Sequence, residues 1–214
     1  MENLRTTHPP RVFIVDDDEL VRSSVVPLLE ATDLEVATFD SAESFLECAP
    51  KYDVGCLIAD VQMPGMSGLE LIEELRANES GLMSILVTGF ADTKLVVRAM
   101  RAGAVTVLDK PYCDQELLDA IRTAWQLSCE HREQRVGRRV IRRRIAALSA
   151  SERQVLDLVV NGTSNKSIAG QLDLSVRTVE NRRRGIFQKM NADSVAELVR
   201  MIIMVKNDER TQVA

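Results

Sequence analysis

Over the first 125 residues, short apolar runs alternate with longer stretches in which apolar residues recur every three or four positions. The short runs predict strands at Val12–Val15, Glu35–Phe39, Val54–Ala59, Ile85–Thr88 and Val105–Leu108. The longer ones predict helices over Glu19–Ala31, Ala42–Cys48, Gly68–Ala77 and Lys94–Ala102, with a fifth starting at Gln115. Strands and helices in strict alternation fold as a parallel sheet with helices on its faces. Ser67 and Glu70 fit a capping box at the head of the third helix. Pro27 falls inside the first helical pattern, where the missing amide hydrogen costs about 3 kcal/mol and predicts a kink.

The fifth helical pattern runs on. Leu117, Leu118, Ile121, Ala124, Trp125, Leu127 and Ser128 keep the period, and CEHREQRVGRRVIRRRIAAL follows with no proline and one weak point, Gly137. A long connecting helix is predicted, frayed or broken near Gly137, with Arg138, Arg139 and Arg142 to Arg144 exposed. Those arginines form either a solvated linker or one that also touches DNA or a dimer partner. Beyond it, Ser151–Val160, Asn165–Leu172, Val176–Met190 and Ser194–Val205 read as four short helices. NGTSN and DLS separate the first three, and a Gly or Asn at such a joint suits the left-handed turn that ends a helix. Two short helices across a tight turn are the helix-turn-helix pattern. The expected divisions are a flexible N-terminus (1–10), an α/β domain (11–126), a basic helical linker (127–146), an all-α four-helix domain (147–206) and a flexible tail (207–214).

Charge separates the halves. The net charge is −5, yet residues 1–125 hold 10 Lys and Arg against 22 Asp and Glu, and the remainder holds 17 against 10. An acidic module is joined to one suited to a polyanion. No run approaches the roughly 18 apolar residues of a membrane span, and MENLRTTHPPR lacks the apolar core of a signal peptide. Cys48, Cys56, Cys113 and Cys129 form no Cys-x-x-Cys pair and have no adjacent histidine, which argues against zinc and disulfides. A reduced, cytoplasmic protein is expected.

Asp16, Asp17 and Asp18 stand in a row after the first strand. Two unit charges about 4 Å apart repel by roughly 4 kcal/mol at an effective dielectric of about 20, so the cluster needs screening or a cation. Ligands of an open parallel sheet bind outside the carboxyl ends of its strands. Asp16 and Asp17 follow the first strand there, Asp60 the third and Lys110 the fifth, and Thr88 closes the fourth. Converging carboxylates call for a hard cation with oxygen ligands, and Mg²⁺ is the natural choice. Asp18 directly precedes a helix and suits its N-cap. No nucleophile with a paired base and no second metal site is visible, which disfavours a hydrolase.

IVDDD, DVQMPGMSGLEL, the Thr88-Gly89 pair and Asp109-Lys110-Pro111 together resemble the receiver domain of two-component response regulators, over residues 11–126. The resemblance implies a flavodoxin-like, doubly wound, five-stranded parallel sheet. It implies that Asp60 is the phosphoacceptor, that Asp16, Asp17, Asp60 and the Gln62 backbone carbonyl hold Mg²⁺, and that Thr88 and Lys110 contact the phosphoryl group. Val107 stands where many receivers carry an aromatic residue, and Gln62 and Phe90 occupy variable positions expected to tune hydrolysis.

LSASERQVLDLVVNGTSNKSIAGQLDLSVRTVE resembles the LuxR-type helix-turn-helix of FixJ/NarL-like regulators, over residues 147–206. In the expected recognition helix, Val179, Ile186 and Met190 share one face, and Glu180, Asn181, Arg184 and Gln188 point the other way. Asn181 and Arg184, with Glu180, are candidates for base edges. Lys166, Arg177, Arg182, Arg183 and Lys189 are candidates for phosphates, and Thr178 belongs to the same DNA-binding set. Arg182 replaces a histidine common in the family. Gly185 weakens the helix by up to about 1 kcal/mol, allowing either a close backbone approach or a more adaptable helix.

The combined expectation is a transcriptional response regulator and not an enzyme beyond its own phosphorylation and dephosphorylation. A histidine kinase would phosphorylate Asp60, and the protein would bind promoter DNA, as a homodimer when phosphorylated. The alternative is a phospho-regulated module whose C-terminal bundle docks a protein.

Overall fold

The computed structural model describes residues 11–47 and 54–211. The expected flexible N-terminus, Cys48 and residues 212–214 of the expected tail lie outside the described residues. The chain divides into two compact units, Met1–Arg132 and Glu133–Ala214.

The first unit is built on strands β1 (Arg11–Val15), β2 (Glu35–Phe39), β3 (Gly55–Asp60), β4 (Leu82–Thr88) and β5 (Ala104–Asp109). All pair in parallel, in the order β2-β1-β3-β4-β5. Between them lie helices α1 (Glu19–Glu30), α2 (Ala42–Leu46), α3 (Gly68–Ala77) and α4 (Thr93–Ala102). After β5 comes α5 (Asp114–Ala146). Successive strand residues point to opposite faces, and two separate cores result. Phe13, Val15, Leu57, Ala59 and Leu86 pack with Phe45 of α2, Leu71 and Leu75 of α3 and Ala99 of α4. Val12, Ile14, Cys56, Ile58, Ile85 and Val87 pack with Val25 and Leu29 of α1 and Leu117, Ile121 and Ala124 of α5. This is the helix-covered parallel sheet expected from the alternating pattern, in the doubly wound arrangement that the family resemblance implies.

Local signals act as the sequence suggests. Asp18 caps α1 by accepting the Leu20 N–H at 2.8 Å, and Ser67 and Glu70 close a capping box on α3. Two expectations differ. β4 begins at Leu82, because the buried Ser84 interrupts the apolar run without leaving the strand. α5 runs unbroken through Gly137. α1 carries Pro27 inside it and runs to Glu30, and Ser23, whose carbonyl loses its helical partner, is exposed to water.

The stretch expected as a linker contributes to both units. Ser128 is fully buried in the first, its hydroxyl donating to the Gly81 carbonyl at 2.7 Å and accepting the Gly55 N–H at 3.1 Å. It thereby ties α5 to the beginnings of β3 and β4. Ile141 is buried in the core of the second unit, with Ile145 packed against it. Arg138 and Arg144 are half-buried, Arg144 donating to the Met190 carbonyl at 2.9 Å, whereas Arg139, Arg142 and Arg143 are exposed as expected.

The second unit adds α6 (Ala150–Val160), α7 (Asn165–Leu172), α8 (Val176–Met190) and α9 (Val195–Thr211). Its core is Val155, Leu156, Val159, Ile168, Val179, Ile186, Met190, Leu198 and Ile202. Ser149, Ser164 and Ser175 cap α6, α7 and α8, and the joints turn through left-handed Gly162 (φ +78°) and Asp173 (φ +53°). α9 extends past 206, where the tail was expected to begin. No helix among the described residues is long and apolar enough to cross a membrane.

Candidate functional site: an acidic pocket and an exposed helix

Strand register brings the polar residues of the first unit together. Val15 pairs with Ala59, Asp60 with Val87 and Thr88 with Asp109. Asp16, Asp60, Thr88 and Lys110 therefore line one carboxyl edge, with the Lys110 N–H bonded to the Thr88 carbonyl at 2.7 Å. Asp16 and Asp60 are 4% and 8% exposed. The Lys110 ammonium reaches both, 2.9 Å from Asp16 Oδ2 and 2.7 Å from Asp60 Oδ1. Their remaining oxygens accept backbone N–H groups, Asp16 Oδ1 from Asp18 at 2.9 Å and Asp60 Oδ2 from Gln62 at 2.7 Å.

Burial draws the Lys110 pKa down, and the hydrogen bonds from its ammonium to Asp60 and Asp16 outweigh this, leaving it above the ordinary lysine value. Tyr112 is shifted upward, first by burial, with Asp16 and Asp60 adding to the effect and Lys110 opposing it. Tyr112, with Ile14, Ile58, Val21 and Val25, lines a small, mostly apolar cavity that Asp16 and Asp60 also border.

The other expected members stand apart. Asp17 is exposed. Thr88 is 2% exposed, and its hydroxyl accepts the Phe90 N–H at 3.2 Å and lies 3.3 Å from the Phe90 carbonyl. Gln62 meets Asp60 through its N–H. Among the described residues no group of three or more His, Cys, Asp or Glu is placed to hold a metal ion, so Asp16, Asp17 and Asp60 do not form a three-carboxylate cluster. The donor chemistry nevertheless suits Mg²⁺, which takes one or two carboxylates and keeps its waters. The Lys110 ammonium contacts both buried carboxylates, and Asp17, next to Asp16 in the chain, is exposed.

Two supports carried no signal in the sequence. Arg22 of α1 donates to the Asp16 carbonyl, and the Asp16 N–H donates to the Phe39 carbonyl at 3.2 Å, so every polar atom of Asp16 is engaged. Glu43 of α2 accepts the Met66 N–H at 3.0 Å. It occupies the space that a side chain on Gly65 (φ +77°) would enter, and so holds the loop after Asp60.

In the second unit, α8 buries Val179, Ile186 and Met190 and exposes Arg177, Glu180, Asn181, Arg184, Gln188 and Lys189. Lys166 of α7 is also exposed. Thr178, Arg182 and Arg183 are half-buried. The Thr178 hydroxyl lies 2.8 Å from that of Ser175, and Arg183 is bonded to the Asn165 side chain. Lys189 pairs with Glu152 of α6 at 2.7 Å. Glu152 was absent from the sequence reading, although Ser149-x-x-Glu152 carries the capping-box signature that could have found it.

Comparison with known proteins covers both units. Residues 12–122 match the response regulator receiver domain family, and residues 146–202 match the bacterial regulatory proteins of the luxR family. The transcriptional regulatory protein FixJ of Azorhizobium caulinodans is 44% identical over 90% of this chain and 92% of its own length. FixJ of Rhizobium meliloti is 42% identical over 90% and 94%. Among solved structures, the response regulator StyR superposes with a TM-score of 0.77 at 43% identity, covering 91% of this chain and 98% of that one. Full-length FixJ from B. japonicum gives 0.57 at 36% identity over 94% and 98%.

Proposed function

This chain belongs to the response regulators that join a receiver domain to a LuxR-type DNA-binding domain, and we propose that Asp60 switches it by accepting a phosphoryl group from a sensor histidine kinase. The observation that carries this is the Lys110 ammonium held against both Asp60 and Asp16 at the carboxyl edge of the sheet.

Phosphoryl transfer depends on positioning and on neutralising oxygen charge, more than on covalent chemistry supplied by the protein. An Asp60 oxygen attacks phosphorus, the new O–P bond forming as the P–N bond of the donor phosphohistidine breaks. The leaving imidazole nitrogen keeps the electron pair and takes a proton from water. Asp60 is aimed for this by the Gln62 N–H and Lys110. Lys110 exchanges a carboxylate oxygen for a phosphoryl oxygen as charge moves outward. The Thr88 hydroxyl, engaged with the backbone of Phe90 two residues on, turns to another phosphoryl oxygen. Asp16, Asp17, Asp60 and the Gln62 carbonyl would hold Mg²⁺, which supplies a divalent charge beside the transferring group.

On the output side, Asn181, Arg184 and Glu180 read base edges in the major groove, with Gln188 beside them. Lys166, Arg177, Thr178 and Arg182 serve the backbone, and Arg183 and Lys189 complete the basic set. The phosphorylated protein pairs as a homodimer on two-fold promoter sites. Kinase and chromosomal DNA meet such a protein in the cytoplasm.

The test is phosphate incorporation from a small-molecule phosphodonor with Mg²⁺. Wild type is expected to be labelled and Asp60→Asn unlabelled, and equal labelling of both overturns the assignment.

A further inference from the structure

Lys189 is exposed on α8 and basic, as a phosphate contact would be, yet its ammonium is bound within the protein. Glu152 Oε2 accepts it at 2.7 Å and accepts the Ser149 N–H at 2.8 Å, and the Glu152 side chain is only 13% exposed. One turn earlier on α8, on the same face, stands Gly185. A Cβ there would come 3.2 Å from Glu152 Oε1, closer than such contacts ordinarily run. The carboxylate of α6 is therefore lodged against a single turn of α8, between a cation that pulls it in and a glycine that makes room for it. That turn directly follows Arg184 and contains Gln188.

We infer that Glu152 is a positioning residue for DNA reading: it sets how α8 lies on α6, through Lys189 and the space Gly185 leaves, and Lys189 acts on DNA by way of Glu152. The inference rests on the DNA-binding reading of α8. It decides between the two roles open to Gly185, since the close approach is that of a carboxylate within the protein. The hydrogen bonds from Lys189 and from Ser149 also hold the Glu152 carboxyl down at about 2, so the pair stays charged near neutral pH.

Salt dependence separates the alternatives, because each phosphate contact contributes about 0.9 to the slope of log K against log salt. The full-length protein, phosphodonor present, is titrated against the tightest duplex it selects from a random pool, over a range of KCl. Glu152→Gln and Lys189→Met are each expected to weaken binding about five- to tenfold. The double variant is expected to be no weaker than the worse single one, as for two groups acting as a unit. All three should keep the wild-type slope. Gly185→Ala is the second arm: alanine favours the helix, so thermal stability should hold or rise while affinity falls. A purely structural role for Glu152 cannot move those two readouts apart. A slope lowered by about one in Lys189→Met, with Glu152→Gln binding as wild type, overturns the inference alone. A wild-type protein that binds no duplex at any salt overturns the DNA reading together with it.

Discussion

The Lys110 ammonium lies 2.7 Å from Asp60 Oδ1 and is the counter-charge for two carboxylates that are almost wholly buried. Removing one partner of a buried charged group leaves the others to bear their desolvation, typically about 1–3 kcal/mol. Lys110→Met is therefore expected to unfold at lower urea than wild type, and added Mg²⁺ should recover part of the loss by replacing the missing charge. An unchanged midpoint, or a loss indifferent to Mg²⁺, contradicts this account of the site.

Asp17 and Asp18 are neighbours with separable expected roles. Asp18 caps α1 through the Leu20 N–H, so Asp18→Ala should cost about 1 kcal/mol in urea denaturation while leaving phosphorylation in place. Asp17 is exposed, so Asp17→Ala should keep wild-type stability and lose Mg²⁺-dependent labelling. Swapped outcomes would reverse the two assignments.

The Ser128 hydroxyl satisfies two backbone groups where solvent does not reach. Ser128→Ala leaves the Gly55 N–H and the Gly81 carbonyl unpaired, and a loss of about 1–3 kcal/mol is expected by chemical denaturation. Amide hydrogen exchange at Gly55 should accelerate in the variant. Unaltered exchange there would show that the hydroxyl is not what protects it.

Glu152 gives a signed pH dependence. Its carboxyl is lowered from about 4.5 to about 2 on folding, first by the hydrogen bond from Lys189 and then by the Ser149 N–H. The unfolded chain therefore binds this proton more readily, and the stabilisation is present above pH 4.5 and lost as pH falls towards 2. Thermal melts of wild type and Glu152→Gln should differ most near neutral pH and converge in acid. A difference that grows on acidification has the wrong sign.

The sequence made legible whatever depends on period or on local caps: both cores, the order of elements, and the caps Asp18 and Ser67 with Glu70. It also made the acidic edge legible, because strand ends in a parallel sheet converge whatever the side chains do. What it hid depends on distant backbone. Ser128 finds partners 73 and 47 residues away, and both are main-chain atoms of glycines, which leave no pattern to read. Glu152 and Lys189 are 37 residues apart, so only their caps and charges are visible singly. Ser84, polar and buried, concealed the start of β4 for the opposite reason: strand pairing there overrode the side chain.

The inward teeth of α8, Val179, Ile186 and Met190, share no position with the outward Glu180, Asn181, Arg184 and Gln188. Under the proposed base-reading role, folding and message are written on opposite sides of one cylinder. Substitutions at the outer four letters would then redirect the proposed reading of DNA while the domain underneath continues to assemble as before.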